Sequence, residues 1–337
     1  MTAELENCGV IMLDDPGRCP WNPDIIHGQH HEYAFRAILR FPATPAILYL
    51  HGFLPALEKP FRHPRILRYL TIAEVISQHW SSTYSLPTES FHTILNHIDL
   101  DRFQQKTVLA DKPSKALIFS HATFSQEQLK VLQNVCTDRG ITLALAGLSN
   151  GPNGMLLRPE DHLPQYDLVF AVGRSALEAA ACGCGVIPVY QGMAEEILLP
   201  ETYERLRKQN LAPRLSNHHK LSEEWISQQL GRWNSAQIMR ASGMVRESTG
   251  LDKTILLLEK IYAEVCLEHS QFPNKSWEEE SLALETYFAS SRFVSLNREV
   301  EQLETKIQSM KNSLCWKLSS PLRWIDGVSG LRSRNRT

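Results

Sequence analysis

Residues 166–192 read YDLVFAVGRSALEAAACGCGVIPVYQG, and the punctuation of this stretch decides the fold. The apolar run 168–172 stops at Gly173-Arg174-Ser175. An alanine-rich segment, 176–182, follows, and Gly183 and Gly185 lead into a second apolar run, 186–190, closed by Gln191-Gly192. Strand, tight turn, helix, glycine break and strand make one βαβ unit. Its turn leaves unpaired backbone N–H groups at a helix start, where an anion binds readily. Glu178 stands one turn inside that helix. A phosphate at the helix mouth and a hydroxyl-binding acid beyond it suit a nucleotide-sugar. The spacing Ser175-x-x-Glu178 reads equally as a capping box, in which Glu178 does no more than hold the Ser175 N–H.

The same alternation extends in both directions. On the carboxyl side, 201–209 is helical and ends near Asn210. On the amino side, 116–120 (ALIFS) is a buried strand, and 126–139 is a helix closed by Gly140. Another strand, 141–148, leads into a glycine-rich loop at 150–159. Residues 104–114 (QQKTVLADKPS) are polar, contain Pro113 and suit an interdomain linker. In the first hundred residues, AILYL at 46–50 is a strong buried strand. Further strands are expected at 9–13, 24–27, 65–71 and 93–95, with helices at 31–39 and 72–80. Strands alternating with helices at these lengths predict an α/β protein with parallel, doubly wound sheets.

Composition excludes more than it selects. The 337 residues carry a formal charge of -2, with 43% hydrophobic and 21% charged residues. That is a soluble globular balance, large enough for two domains. It lacks the basic excess of a nucleic-acid binder. No apolar run reaches 18 residues, so no spanning helix is expected, and the opening MTAELENCGV has no signal-peptide pattern. The cysteines are scattered, complete no zinc pattern, and read as small buried hydrophobes in a reducing cytosol.

From about residue 222 the chain reads as continuously helical. Phe293, Leu296, Val300, Leu303, Ile307, Met310 and Leu314 recur in steps of three and four, a heptad seam over 293–314. The seam fits either self-association as a coiled coil or packing on its own domain. The tail 315–337 mixes Trp316 and Trp324 with Lys317, Arg323, Arg332, Arg334 and Arg336. It fits a peripheral contact with the inner membrane face, or a disordered tail with a few packed tryptophans.

Four of these segments resemble GT-B glycosyltransferases of the family 4 (group 1) type found in bacterial surface-polysaccharide clusters. They are HTILNHIDLDRF at 92–103, KALIFSHATFSQEQLKVL at 115–132, the 166–192 block, and NSLCWKLSSPLRW at 312–324. The resemblance implies a GT-B-like fold of two Rossmann-like parallel-sheet domains followed by a C-terminal helical segment. The expected division is a shortened acceptor-side domain (1–103), a linker (104–114), a donor domain (115–270), a helical heptad segment (271–314) and a basic, tryptophan-containing tail (315–337). It implies that Glu178, matching the second Glu of the E-x7-E pattern, bonds the donor ribose. Gly173, Arg174 and Ser175 match the loop that meets the diphosphate or sugar, Gly192 matches the glycine turn after the next strand, and Asn96 and Asp99 match a structural hinge. The first Glu is replaced by Phe170, and Ser120-His121 stand where the family often has Gly-Arg.

The implied activity is metal-independent, hexosyl-type transfer from a nucleotide-sugar co-substrate to a saccharide or lipid-linked acceptor in cytoplasmic bacterial glycan assembly. No other cofactor is implied. On the acceptor side, histidines end two strands: His27, His30 and His31 in IIHGQHHEYA and His51 in YLHGF. His51 and His30 are the candidate catalytic groups, with loop or capping roles as the plain alternative. H-x2-H-H with only Glu32 nearby does not complete a metal site. The competing function is a non-catalytic GT-B-like module that binds a nucleotide or partner and acts through its C-terminal helix.

Overall fold

The computed structural model describes residues 2–53, 58–120, 124–146, 158–215, 218–271, 276–290, 300, 303–307 and 309–310. The chain forms two compact units, one of Met1–Phe61 with Arg65–Asn274 and the other of Arg62–Pro64 with Lys275–Thr337.

The first unit opens with a helical turn, α1 (Thr2–Asn7), and then alternates β1 (Ile26–Gly28), α2 (His31–Arg40), β2 (Ala46–Leu50), β3 (Ile66–Thr71), α3 (Glu74–Tyr84) and β4 (Phe91–Thr93). These strands pair in parallel in the order β1-β2-β3-β4. After residues 104–114 come β5 (Lys115–Phe119), α4 (Gln126–Asp138), β6 (Thr142–Ala146), α5 (Pro159–His162), β7 (Leu168–Ala171), α6 (Arg174–Ala181), β8 (Gly185–Tyr190), β9 (Met193–Ala194), α7 (Pro200–Lys208) and β10 (His219–Lys220). They build a second sheet in the order β10-β9-β8-β7-β5-β6, parallel from β8 to β6. Helices α8 (Glu223–Gly231), α9 (Ser235–Ser248) and α10 (Leu251–Gln271) complete the unit.

The continuous apolar strands of the second sheet follow from burial on both faces. Leu117, Phe119, Val169, Ala171 and Val186 pack on one side with α6, α7 and α9. Ala116, Ile118, Leu168, Phe170 and Ile187 pack on the other with α4 and α8. Gly185 is required there, because a Cβ would lie 2.4 Å from the Trp233 ring. Helix α4 ends as the sequence predicts. Gly140 takes φ +69°, and the Ile141 and Gly140 N–H groups donate to the Cys136 and Thr137 carbonyls.

Residues 9–13 do not form the expected strand. No described strand pairs with them, and Val10, Ile11, Met12 and Leu13 are exposed. Residues 104–114 hold neither helix nor strand, but they are pinned rather than loose. Gln105 donates to Ser242, Lys106 to the Tyr166 carbonyl, and Trp233 to the Ala110 carbonyl.

Two crossings join the sheets and run side by side. Ile98 N–H donates to the Thr249 carbonyl at 2.8 Å, and Leu251 N–H returns to the Ile98 carbonyl at 3.0 Å. Helix α10 then lies against the first sheet, burying Ile261 and Val265 with Ile47, Tyr49, Leu70 and Ile94. A buried polar knot fixes the junction. Arg207 donates to Asn210 Oδ1 (2.9 Å) and to the Asn96 carbonyl (2.7 Å). Asn96 N–H donates to the same Oδ1 (2.9 Å), and the Asn210 amide donates to the Ile72 carbonyl beyond β3.

In the second unit, α11 (Trp277–Ser290) exposes Trp277, Leu282 and Phe288. Of the heptad positions, Val300, Leu303, Ile307 and Met310 are described and all are exposed. Phe293, Leu296 and Leu314, and the whole of 315–337, lie outside the described residues. No described helix is long and apolar enough to cross a membrane.

Replacing Arg207 by methionine keeps an apolar stem but removes two donors from buried acceptors. The expected cost is about 1–3 kcal/mol, read as a lower urea midpoint at unchanged slope. A shift below about 0.5 kcal/mol would show that the knot does not hold the junction.

Candidate functional site

The second sheet has a topological switch point. Reading outward from β5, the chain goes to β6 on one side and to β7 and β8 on the other, so the crevice opens between the carboxyl ends of β5 and β7. Residues 172–175 leave β7 at that position. Gly173 takes φ +61° and ψ -128°, a conformation strained for any residue with a Cβ. Its N–H donates to the Leu211 carbonyl at 3.3 Å. Helix α6 therefore starts at Arg174, with Gly173 as its N-cap and no side-chain cap. The N–H groups of its first turn point out with no intrahelical partner.

This geometry removes the capping-box reading of Ser175 and Glu178. Ser175 lies inside the helix rather than at its cap, so no capping box forms. The Glu178 carboxyl accepts no hydrogen bond from a described residue. Burial pushes its carboxyl up to about 7, against the pull of Arg174 and Arg102 and with a further push from Glu160. Glu160 itself is paired with Arg102 at 2.9 Å. Against the push of burial, that bond and charge hold Glu160 below the usual carboxylate range.

The first sheet faces this point with the ends of β2 and β3. A cleft of about 300 Å³ is lined by His51, Gly52, Phe53, Glu58 and Ile72 from one side, and by Val172, Tyr190, Ala212, Arg214 and Leu215 from the other. His51 packs its ring on Tyr49 at 4.5 Å, and its Nε2 is buried without a hydrogen-bond partner among the described residues. Burial first, then the charges of Arg174, His27 and His30, lower its pKa and keep the ring neutral. His30 is exposed at the N-cap of α2, within electrostatic reach of His51 and Glu58.

The structure thus gathers Gly173, Arg174, Ser175 and Glu178 at the mouth of α6, with His51 across the cleft and His30 at its margin. Gly192 is not at the helix mouth. At φ +83° it makes, with Gln191 (φ 45°), the two-residue turn between β8 and β9, a geometry that needs positive φ at both positions. Asn96 lies against Gly173, 3.9 Å from where a Cβ would stand. Asp99 accepts the Asp101 and Arg102 N–H groups within a turn. Phe170 is fully buried in β7, so no acid could face the cleft from that position. His121 lies outside the described residues.

Two cleft-lining groups, Glu58 and Arg214, carried no sequence signal. Glu58 is a lone acid in a proline-bearing loop. Arg214 follows α7, with its guanidinium 5.6 Å from the Tyr190 ring centroid. Outside that lining, His97 lies within electrostatic reach of Arg174 with Nδ1 unpartnered among the described residues, its pKa lowered by burial and then by Arg174 and Arg207. The only available clue to His97 was its place in the NHID segment. Among the described residues, no group of three or more His, Cys, Asp or Glu could hold a metal ion.

Comparison with solved structures identifies the architecture. A glycosyltransferase from Rickettsia africae superposes with a TM-score of 0.58, at 13% identity, over 78% of this chain and 87% of that one. Anabaena HepE, solved in complex with UDP and glucose, superposes with a TM-score of 0.52, at 11% identity, over 71% of this chain and 77% of its own. The fold is GT-B. No protein-family model matches the sequence, and no curated protein does so either. The GT-B arrangement accounts for the facing sheets, the paired crossings and the return of α10 to the first sheet.

Glu178 ties stability to pH. A carboxyl that titrates near 7 in the fold and near 4.5 unfolded holds its proton more tightly when folded. Its contribution is present below about pH 4.5 and is lost as the pH rises towards 7, a loss of about 1–3 kcal/mol. Glu178→Gln should therefore gain that amount on the wild type between pH 5 and pH 8 in urea unfolding. A pH-independent difference would contradict the placement of Glu178.

Proposed function

We propose that this chain is a metal-independent, nucleotide-sugar-dependent glycosyltransferase of the hexosyl type. It acts on a saccharide or lipid-linked acceptor in bacterial glycan assembly, and its relatives are family 4 enzymes with a longer N-terminal domain. The observation that carries the reading is the pairing of an uncapped helix mouth with an unpartnered carboxylate at the switch point. Free N–H groups at 174–176 suit a diphosphate, and Arg174 adds a charge that no described carboxylate neutralises. Glu178, one turn further on, suits the ribose hydroxyls. Gly192 acts through the hairpin that presents Tyr190. His51 and His30 form the acceptor side. HepE was solved with UDP and glucose, which makes UDP-sugars the first donors to try.

The four-stranded first sheet runs β1 to β4 without reversal, which supports a shortened acceptor domain at 1–103, a linker at 104–114 and a donor domain at 115–270. The heptad seam 293–314 is the proposed site of self-association, with its described apolar positions exposed. The tail 315–337 is the proposed peripheral contact with the inner membrane face. A second reading, a non-catalytic GT-B-like module acting through its C-terminal helix, draws on one observation. Phe170 fills the core where the first acid of the family's pair would stand.

Calorimetry against UDP, GDP, ADP, CMP and their sugar conjugates separates the two. Saturable binding of one nucleotide-sugar is expected, weakened about 10- to 100-fold by Glu178→Ala. A folded protein that binds none of them would overturn the transferase reading and favour the module.

A further inference from the structure

Residues 210–215 leave the end of α7 on a path that brings a guanidinium to the cleft. Asn210 (φ 51°) and Leu211 (φ 54°) take left-handed backbone, and the Leu211 carbonyl accepts the Gly173 N–H at 3.3 Å. The segment is therefore bonded to the turn from which α6 starts. Buried Pro213, with its fixed φ, then opens a short helical turn, Pro213–Leu215, in which the Leu215 N–H donates to the Ala212 carbonyl at 2.9 Å. Arg214, at its centre, lines the cleft together with Val172, the residue that precedes Gly173. Its guanidinium lies 5.6 Å from the Tyr190 ring centroid, with Nη1 3.5 Å from the Tyr190 hydroxyl. Its charge reaches Glu58 on the opposite wall, with no ion pair between them.

A guanidinium drawn out of bulk water ordinarily spends its N–H groups on protein acceptors. Among the described residues of 115–271, the buried or half-buried arginines are Arg207, Arg214, Arg232 and Arg246. Arg207 donates to Asn210 and the Asn96 carbonyl. Arg232 donates to Glu196 and Glu201, and Arg246 to the Phe103 and Leu100 carbonyls. Arg214 makes only the long contact to the Tyr190 hydroxyl, and no described carboxylate or carbonyl accepts from it. Its planar fork is steadied by an aromatic ring at the edge of a cleft, with most of its donors unspent. That arrangement suits a bidentate anion, not a structural arginine.

We propose that Arg214 binds the terminal phosphate of the nucleoside diphosphate from the cleft side, completing a two-arginine clamp with Arg174. The inference rests on the transferase reading, which seats the diphosphate at the mouth of α6 and the ribose on Glu178. With the ribose one turn inside the helix, the terminal phosphate is the group nearer the cleft. Arg174 starts α6 and Arg214 rides on the segment bonded to the turn before it, so a phosphate between them meets cations from two separate elements. The second cation thereby comes from the segment after α7. The segment after β5 carries Ser120-His121 and no arginine. Asn210 belongs to the polar knot that joins the sheets, so the same knot that fixes the junction sets the position of this arm.

The test is calorimetry on the full chain at fixed ionic strength, with UDP, GDP and ADP set against UMP, GMP, AMP and CMP. For the base that binds, the wild type should hold the diphosphate at least about 10-fold more tightly than the monophosphate. Arg214→Gln should weaken the diphosphate about 10- to 100-fold and leave the monophosphate within about threefold of wild type. Arg214→Lys, which keeps the charge and loses the fork, should fall between the two. A diphosphate affinity within about threefold of wild type in Arg214→Gln overturns the proposal and leaves the transferase reading intact. So does an equal loss for both nucleotides, which is the mark of a structural role. If Arg214 met a carboxylate on the transferred sugar instead, Arg214→Gln would weaken UDP-glucuronate and spare UDP, which also overturns the proposal alone. A wild type that binds CMP but no diphosphate does the same, and one that binds no nucleotide overturns both. The diphosphate-to-monophosphate ratio needs no variant: a wild-type gain below about threefold overturns the proposal even if Arg214→Gln is unstable.

Discussion

A single buried guanidinium holds the cleft together. Arg207 ends α7 on the second sheet's side, Asn96 belongs to the crossing between the sheets, and Ile72 lies just past β3 of the first. Asn210 takes φ 51°, outside ordinary helical space, and so closes the circuit among them. Leu211, beside it at φ 54°, receives the Gly173 N–H. The left-handed pair 210–211 therefore sets both the approach of the sheets and the turn from which α6 springs. Ala212, Arg214 and Leu215, next in the chain, line the cleft. Buried polar groups of this kind are costly unless every partner is present, which ties the geometry of the site to the integrity of the junction.

The charge pattern follows from that geometry. Cations without carboxylate partners among the described residues gather on the side of the second sheet, while burial keeps the facing His51 neutral. The two acids, Glu178 and Glu58, are both pushed towards their protonated forms. Such a cleft attracts an anion on the wall of the second sheet and presents neutral hydrogen-bonding groups on the other.

Much of the second sheet was legible because its signals are local. The period and punctuation of 166–192 gave β7, α6 and β8 to within about two residues, and Gly140 marked the end of α4. The ambiguity of Ser175 and Glu178 was real at the level of spacing. Only the ψ of -128° at Gly173 and its bond to Leu211 move the helix start by two residues and release Glu178 from a capping role. The apolar run 9–13 has strand composition but finds no neighbour, because pairing is a tertiary property. Helix α10 is amphipathic in sequence, yet nothing local says that Ile261 and Val265 belong to the first sheet. Glu58 and Arg214 lie more than 150 residues apart, so their meeting is a consequence of how the two sheets face.

The most direct test of the account is a crystal structure of the chain soaked in turn with UDP, GDP and ADP. The account predicts that the bound nucleotide places its terminal phosphate within hydrogen-bond distance of the backbone N–H groups at 174–176 and its ribose hydroxyls on Glu178. A nucleotide seated elsewhere, with the mouth of α6 left to solvent, would contradict it.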